Sequence, residues 1–351
     1  QRDFYISVTD KNEVPLLPVF KDTNGQQVFA DDHASVNEHP KYGSVVGTIY
    51  ASDPDSNQTL KFTLDDNAQG KFSIAPVATC TFVSGSWCTA AITVIGRLDY
   101  EMSQVEYIVV RVTDPYGKFV AKRFSVQVLD VNDPPTDISI SKESVAENQV
   151  DAVVGTFTCK DVDPGQHCQY SLVNTASGVF KISGNTLRTA VALDYEASSS
   201  WTIRVRATDN GSPALSYEKT FVINVIDVNE APTSVKLSNV AINENCPLDT
   251  LVGYLTASDP DNSNKHRQTF SYTFGPTQGR FKIDGNAVKV AISNVDCLKY
   301  GGSYCRLNFE SSPSFSVTVH VTDSGSPPLS STFPLTLHLN NINDQPRHLT
   351  I

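Results

Sequence analysis

The chain has 351 residues, a formal net charge of −11 and 40% apolar residues. That length exceeds one small core and predicts two or three domains, and the apolar content is too high for a disordered chain. The excess of acid argues against a nucleic-acid partner and favours cations. No apolar run approaches the roughly 18 residues of a membrane span, and the strand-like start at Gln1 predicts an excised piece of a longer, processed protein.

The first predicted element, DFYISVTDKNEVP at 3–15, is an alternating strand that ends in acidic residues and a proline. Its copies are RFSVQVLDVNDPPT at 123–136, TFVINVIDVNEAPT at 220–233 and PLTLHLNNINDQP at 334–346. The successive intervals from Asp10 to Asp130, Asp227 and Asn341 are 120, 97 and 114 residues. The spacing therefore predicts three complete repeats that follow the last strand of an earlier one. We call each acidic segment between repeats a seam.

Other landmarks recur in the same order inside each repeat. Each opens on an Asn-Glu or Ala-Glu motif and an Asp-x-Asp, continues through GKFSI, GVFKI or GRFKI, and then reaches LDYE, LDYE or LNFE and a late Thr-Asp. In WTIRVRATD, Trp201, Ile203, Val205 and Ala207 alternate with polar residues, which indicates a half-buried strand. Short strands separated by Gly, Asn, Asp and Pro predict one two-sheet sandwich per repeat, with a proline at each seam.

These landmarks resemble those of cadherin repeats, and the resemblance covers nearly the whole chain. It implies an all-β fold of tandem Greek-key, immunoglobulin-like β-sandwiches in a linear array. The expected segments are 1–14 for the last strand and seam of a preceding repeat, 15–132, 133–229 and 230–345 for three cadherin repeats, and 346–351 for the start of a following linker.

The seven cysteines form local couples that favour disulfides in an oxidising compartment. The expected pairs are Cys80 with Cys88, Cys159 with Cys168, and Cys297 with Cys305, which leaves Cys246 over; other pairings within the third repeat are also open. Zinc is less suitable because no His is spaced as a ligand near any pair. Sequons at Asn57 and Asn210 would accept glycans in a secretory pathway.

The recurring acids predict a cation site at each seam. A lone Asp-Pro-Asp is more often a solvated turn, but a turn does not require the same acids to recur in three repeats. Without a cation, the converging carboxylates would repel one another. All donors at the recurring positions are hard oxygens, with no His or Cys, and this donor set selects calcium over magnesium or a softer metal.

The cadherin resemblance assigns calcium ligands to three segments around each seam. At the first seam they are Glu38, Asp99 and Glu101, then Asp130, Asn132 and Asp133, then Asp161, Asp163 and Asp209. At the second seam they are Glu147, Asp194 and Glu196, then Asp227, Asn229 and Glu230, then Asp259, Asp261 and Asp323. At the front of the first repeat, Asp53, Asp55 and Asp114 remain available, although a longer spacer between Asp10 and Glu38 puts a standard joint there in doubt.

The exit of the third repeat departs from this pattern. LDYE becomes LNFE at 307–310, and the seam Asp becomes Asn341. Because each change removes a charge, the sequence predicts a weaker or partly filled calcium site at this exit.

The resemblance implies a calcium-dependent adhesion or strut segment of a non-classical cell-surface cadherin. The expected location is extracellular, in an ectodomain anchored to the plasma membrane by a segment outside this chain. Expected partners are calcium ions and other cadherins, homophilic or heterophilic, on the same or opposing cells. Strand-swapping cadherins insert a Trp near the mature N-terminus, whereas the Trp residues here are Trp87 and Trp201.

Two other functions compete with adhesion. A heterophilic receptor or ligand-binding segment could use the cysteine-bounded loops at 76–90 and 293–307. An enzyme could use Asp99 and Glu101 as a glycosidase-like pair. The enzymatic alternative is disfavoured because these acids recur at each seam and no nucleophile or phosphate-loop motif accompanies them, so we expect no catalytic activity.

Overall fold

A computed structural model describes residues 11–28, 34–55, 58–76, 87–174, 178–261, 267–276, 279–291 and 307–343. Within these ranges the chain forms β-strands and short turns, with no α-helix. Over the same ranges, no helix is long and apolar enough to cross a membrane. Two compact units are present: one reaches to Ile138 and includes 159–169 and 207–217, and the other contains 139–158, 170–206 and the chain from Glu218.

Nine strands build repeat one. They are β1 (Val19–Asp22), β2 (Gln27–Val28), β3 (Ala34–Asn37), β4 (Val45–Ala51), β5 (Lys61–Asp66), β6 (Phe72–Pro76), β7 (Cys88–Val94), β8 (Val105–Thr113) and β9 (Phe119–Leu129). One sheet has the order β2-β1-β4-β7-β6 and the other β3-β9-β8-β5. The two sheets share one core, in which Phe20 of the first meets Phe124 of the second edge to face, with ring centroids 5.4 Å apart.

Repeat two has the same plan with eight strands. They are β10 (Asp137–Ile140), β11 (Ser144–Ala146), β12 (Val153–Lys160), β13 (Gln169–Asn174), β14 (Phe180–Ser183), β15 (Thr186–Thr189), β16 (Ser200–Thr208) and β17 (Ser216–Ile226). The sheet orders are β10-β12-β15-β14 and β11-β17-β16-β13. Ile203, Val205 and Ala207 of β16 are fully buried, as their alternation with polar residues predicts.

Repeat three also has eight strands. They are β18 (Ser234–Leu237), β19 (Ala241–Asn243), β20 (Leu251–Ser258), β21 (Ser271–Phe274), β22 (Phe281–Asp284), β23 (Ala287–Val290), β24 (Ser314–Thr322) and β25 (Ser330–Asn340). The sheet orders, β18-β20-β23-β22 and β19-β25-β24-β21, match those of repeat two strand for strand. The all-β, tandem sandwich fold expected from the sequence is therefore confirmed.

The short strand before each seam glutamate lies at the edge of the sheet that contains the last strand of its repeat. β3, β11 and β19 each pair in parallel with the last strand of their repeat, whose end leads into the next seam. Asn37 lies opposite Leu129, Ala146 opposite Ile226, and Asn243 opposite Asn340. This pairing places the segment before the seam glutamate beside the last strand of the repeat, so residues 80 to 97 positions apart along the chain become neighbours.

The repeated Val-Gly or Leu-Val-Gly motif has a packing reason. At Gly47, Gly155 and Gly253 the strands β4, β12 and β20 shift register against their neighbours β7, β15 and β23. A Cβ at Gly47 would lie 2.3 Å from the Lys21 carbonyl oxygen, and one at Gly155 would lie 2.7 Å from the Lys142 carbonyl oxygen. Only glycine therefore lets β1 approach β4, and the segment after β10 approach β12, so closely.

The cysteines agree with the expected local couples where the structure describes them. Cys159 and Cys168 form a disulfide with Cα atoms 6.3 Å apart, and Cys246 is a free, half-buried thiol. Cys88 is also disulfide-bonded. Cys80, Cys297 and Cys305 lie outside the described residues, as do most of the loops at 76–90 and 293–307, so those pairings stay predictions.

Candidate metal centres

A buried glutamate anchors the first seam. Glu38 follows β3 and is only 3% exposed. Its carboxylate accepts the backbone N–H of Tyr100 at 2.8 Å and that of Val131 at 2.9 Å. Glu38 thus ties the LDYE segment to the seam segment within repeat one. Hydrogen bonds to a charged acceptor are among the stronger ones in proteins, so the position of the glutamate is fixed.

Acidic side chains from several segments converge around Glu38. Glu38, Asp99 and Glu101 have carboxylate oxygens within 4.8 Å of one another, and so do Glu101, Asp130 and Asp163. Partial burial raises the pKa of Glu101 and of Asp130, and the neighbouring carboxylates raise both further. The cluster is therefore a place where negative charge is costly and a cation is favoured.

Two basic groups border this cluster. Arg97 Nη2 lies 2.8 Å from Asp99 Oδ2, and His39 Nδ1 lies 3.5 Å from Asp133 Oδ1. The Arg97 side chain is 68% exposed, so its ion pair is screened by solvent. Among the described residues, Glu101, Asp130 and the seam-facing Asp161 and Asp163 form no ion pair.

Two aspartates of repeat two, Asp161 and Asp163, lie beside the first seam. The backbone N–H of Asp133 donates to Asp163 Oδ2 at 2.9 Å, and that of Asp163 donates to Asp161 Oδ1 at 3.2 Å. Asp161 Oδ2 and Asp163 Oδ1 are both buried and have no hydrogen-bond partner in the described part of the chain. Burial also raises the pKa of Asp133, and nearby carboxylates add to this shift although His39 opposes it.

The Asn132 side chain fits into a recess at the same end of repeat two, which we call the socket and which Asp209, Gly211 and Pro213 line. Its Nδ2 donates to Asp209 Oδ2 at 3.2 Å and to the Pro213 carbonyl oxygen at 3.0 Å. A Cβ on Gly211 would lie 1.6 Å from Asn132 Oδ1, so only glycine leaves room for this side chain. Asp209 is 4% exposed and accepts backbone N–H groups of its own loop. All nine residues predicted for the first seam therefore lie at one end of repeat one or the facing end of repeat two.

The second seam repeats the glutamate anchor. Glu147 is 1% exposed and accepts the N–H of Tyr195 at 2.6 Å and that of Val228 at 2.9 Å. Glu147, Asp194 and Glu196 again have oxygens within 4.8 Å of one another. Partial burial, with the charges of Glu147, Asp227 and Asp261, raises the pKa of Glu196 to about 7.

The acids of repeat three meet this seam as those of repeat two meet the first. The N–H of Glu230 donates to Asp261 Oδ2 at 2.7 Å. Asp259 Oδ2 and Asp261 Oδ1 are buried without a hydrogen-bond partner among the residues described. Burial raises the pKa of Asp259 and of Glu230, and nearby carboxylates raise both further. The longer Glu230 side chain also accepts Asn148 Nδ2 at 2.9 Å, a contact formed by the extra methylene arm.

Asn229 occupies the equivalent socket. Its Nδ2 lies 3.2 Å from Asp323 Oδ1 and 2.9 Å from the Pro327 carbonyl oxygen, and a Cβ on Gly325 would lie 1.6 Å from its Oδ1. A cavity of about 460 Å³ opens beside it, lined in part by Asp227 and Asp261. The nine residues predicted for the second seam are thus also brought together.

The front of repeat one has a smaller version of this arrangement. Asp53, Asp55 and Asp114 are 2%, 9% and 5% exposed. Asn12 Nδ2 donates to Asp114 Oδ2 at 2.8 Å, and Lys118 Nζ contacts the Asn12 carbonyl oxygen. Burial raises the pKa of Asp53, whereas the pKa of Asp114 is lowered because hydrogen bonds from Asn12 and the loop amides outweigh its burial. Lys118 places a positive charge at this front site. The equivalent residues at the two later seams, Leu215 and Leu329, are uncharged.

The exit of repeat three keeps the anchor but changes its surroundings. Glu244 is 2% exposed and accepts the N–H groups of Phe309 and Ile342 at 2.8 and 2.9 Å. Asn341 Nδ2 donates to Glu310 Oε1 at 3.3 Å. An amide–carboxylate hydrogen bond therefore replaces the repulsion between two acids found at both seams.

The donor set and the unpartnered oxygens fit a hard divalent cation at the two seams. Most side chains that converge there end in carboxylate oxygens. The nitrogens among them belong to the Asn and Gln amides and, at the first seam, to Arg97 and to His39, whose ring nitrogen lies close to Glu38 and Asp133. Buried polar atoms normally have a partner, and each seam leaves two carboxylate oxygens without one in the described chain. Calcium accepts six to eight oxygen ligands in a flexible arrangement, which suits donors drawn from several loops.

Three glutamines belong to these centres although sequence patterns did not single them out. Gln58, Gln166 and Gln268 donate from Nε2 to the Oδ1 of Asn12, Asn132 and Asn229, at 2.8, 2.5 and 2.8 Å. Gln58 and Gln166 each lie three residues after the Asp-x-Asp, but Gln268 lies seven residues after it, so this spacing does not reveal all three. Each lies three residues before the strand that follows this loop, β5, β13 or β21, so aligning the repeats on those strands would have revealed them.

Comparison with known proteins agrees with these observations. The Cadherin domain family matches residues 141–226 and 238–340. Human protocadherin gamma-A3 is 32% identical over 322 residues, covering 88% of this chain and 33% of the relative, so the chain spans about a third of that relative's length.

Solved structures show the same fold. The protocadherin GammaB4 extracellular domain has a TM-score of 0.56 and 25% identity, over 95% of this chain and 50% of that one. Mouse cadherin-23 EC22-24 has a TM-score of 0.56 and 23% identity, over 93% of this chain and 99% of that one. With the tandem sandwiches and recurring seam motifs, these matches show that the chain belongs to the cadherin family, as a set of tandem repeats of the non-classical kind.

Proposed function

We propose that the chain is an extracellular segment of a plasma-membrane cadherin that acts in calcium-dependent cell adhesion, without catalytic activity, and that its seams are stiffened when calcium binds. The proposed repeats are 15–132, 133–229 and 230–345. The proposed partners of the whole protein are other cadherins, by homophilic or heterophilic contact on the same or opposing cells. The 21 acidic and amide residues named for the front and the two seams are the proposed ligands.

One observation carries this proposal. At each seam, carboxylates from the end of one repeat, from the seam itself and from the start of the next repeat lie together, with buried oxygens that lack a partner in the described chain. Because the ligands come from both sides of a seam, binding of a shared ion opposes relative motion of the two sides. When bound, calcium supplies positive charge to carboxylates that would otherwise repel one another.

The chain itself prepares each seam for the ion. Glu38 and Glu147 hold the seam backbone through the N–H groups of Val131 and Val228. The N–H groups of Asp133 and Glu230 reach across to Asp163 and Asp261. These contacts position the seam residues, and the remaining carboxylate oxygens are the ones left to bind a cation.

Isothermal titration calorimetry with calcium tests the proposal on the whole chain. We expect saturable binding with dissociation constants on the order of 0.1 to 1 mM, as in other extracellular calcium modules. We also expect a higher unfolding temperature in calcium than in chelator, by mass action. Magnesium at equal concentration is the control and should bind more weakly. Absence of both binding heat and thermal stabilisation would refute the calcium proposal.

A further inference from the structure

Gln58, Gln166 and Gln268 each end in an amide, which can both donate and accept a hydrogen bond, whereas an ionised carboxylate only accepts. Gln58 is 7% exposed, and in all three glutamines Oε1 is buried without a hydrogen-bond partner among the described residues. A buried amide oxygen with no partner is uncommon and costs free energy. The same unsatisfied atom at three equivalent places indicates a shared role rather than an isolated packing fault.

The amide nitrogens show where that role is performed. Gln166 Nε2 lies 2.5 Å from Asn132 Oδ1 and 2.9 Å from Asp163 Oδ2. Gln268 Nε2 lies 2.8 Å from Asn229 Oδ1 and 3.1 Å from Asp261 Oδ2. In each case one N–H₂ group bridges a seam amide oxygen and a seam-facing carboxylate, which are two oxygens that a bound cation would also bring together. The glutamine nitrogen therefore lies where positive charge is favoured.

The side chain can exchange its two ends with little rearrangement. The terminal torsion of glutamine is broad and roughly two-fold, so a half-turn exchanges nitrogen and oxygen at nearly the same positions. A carboxamide oxygen is an ordinary calcium ligand. Gln268 also lines the 460 Å³ cavity at the second seam, which gives its carboxamide access to that space.

We propose that Gln166 and Gln268 are exchangeable ligands: each bridges a seam amide oxygen and a seam-facing carboxylate through Nε2 without calcium and offers Oε1 to the ion when calcium is bound. This inference rests on the proposed calcium binding. Each glutamine would then act both with and without calcium. Without calcium it would stabilise the seam by hydrogen bonds, and with calcium it would complete the set of ligands.

Two substitutions at Gln166 separate these parts. Gln166→Leu removes both ends, so it should lower the unfolding temperature in chelator and weaken calcium binding at one site on the order of tenfold. Gln166→Glu keeps an oxygen ligand but removes the donor and adds charge. It should therefore lower the unfolding temperature in chelator yet tighten calcium binding. Titration calorimetry and thermal unfolding of the whole chain provide both readouts.

Gln169 supplies the matched control because it lies on the same segment and is exposed. Gln169→Leu and Gln169→Glu should leave both readouts at wild-type values. Gln268→Glu repeats the test at the second seam if the Gln166 variants fold poorly. Unchanged or weaker calcium binding in both glutamate variants would overturn the ligand role, and unchanged stability of Gln166→Leu in chelator would overturn the bridging role. If wild type itself bound no calcium, the proposed function would fail first.

Discussion

The second seam and the exit of repeat three begin from the same anchor and end differently. Glu147 and Glu244 are each almost fully buried and each accept two backbone N–H groups from equivalent positions. Around Glu147 the neighbours are carboxylates, and the pKa of Glu196 rises to about 7. Around Glu244, Asn341 donates a hydrogen bond to Glu310 instead.

The comparison separates two roles of this buried glutamate, which are to hold the backbone of the seam and to add negative charge to a cation site. Holding the seam backbone needs only a buried acceptor, and the exit retains it. Needing a cation depends on how many further carboxylates share the space, and Asn308 and Asn341 reduce that number at the exit. The anchor is therefore part of the fold, whereas the acids around it set how strongly a cation is favoured.

Replacing the anchors should give the largest effects. Glu147→Ala and Glu244→Ala each remove the acceptor of two N–H groups, so each should cost about 1.5–3 kcal/mol per lost bond in chelator. In saturating calcium, the cost should grow for Glu147→Ala, because a ligand is also lost, and stay constant for Glu244→Ala. Denaturant unfolding with and without calcium measures both. Equal calcium dependence of the two variants would show that the exit behaves as a full seam.

Removing a charge that does not anchor the backbone should have an intermediate effect. Asp130→Ala takes away a carboxylate whose oxygen lies within 4.8 Å of those of Glu101 and Asp163. It should weaken calcium binding at the first seam on the order of tenfold, with little effect on stability in chelator. Asn341→Ala should change calcium binding much less. Calorimetric titration of both variants provides the comparison, and similar losses would contradict a weakened exit.

Restoring a charge at the exit should act in the opposite direction. Asn341→Asp replaces the hydrogen bond to Glu310 with repulsion, so the unfolding temperature in chelator should fall by a few degrees, as for a change of about 1 kcal/mol or less. The same variant should gain stability from calcium at the exit. Hydrogen exchange at the amides of Phe309 and Ile342, measured with and without calcium, reports this locally. If calcium did not protect these amides from exchange, restoring one acidic residue would not be sufficient to create a calcium site at the exit.

Much of this arrangement was accessible from sequence because it recurs. Alternation in WTIRVRATD identified the buried face of β16, and repetition of the acids identified which carboxylates converge. The predicted weakness of the exit followed from Asn308 and Asn341 alone, and it stays a prediction that the Asn341–Glu310 hydrogen bond supports.

What sequence did not provide depends on contacts between distant segments. Nothing in the pattern showed that Glu38 binds two backbone amides, or that Gly211 makes room for Asn132. The glutamines were missed because the loop between Asp-x-Asp and the next strand is longer in repeat three than in the other two. The Glu38 contacts arise only when the parallel pairing of β3 with β9 brings Glu38 beside the seam, and the Gly211 and glutamine contacts only when the seam meets the following repeat.

A further expected effect is a pH dependence confined to the seams. The pKa of Glu196 is raised to about 7, from an ordinary value of 4.5, mainly by burial and then by neighbouring acids. A raised carboxyl pKa means that the folded chain binds the proton more tightly than the unfolded chain. Its contribution to stability is therefore complete below pH 4.5 and lost as the pH rises through about 7. In chelator, the free energy of unfolding should fall between about pH 5.5 and 8, as the pH rises through the Glu196 pKa of about 7.

Calcium should reverse this trend, because binding requires the deprotonated carboxylate and so strengthens as the pH rises. Glu196→Gln removes the titrating group and should flatten the chelator profile, whereas Glu310→Gln at the exit should leave it as in wild type. Denaturant unfolding across the pH series measures the profiles. If Glu310→Gln flattened the profile instead, the charge crowding would lie at the exit, and the contrast between the two regions would have to be reversed.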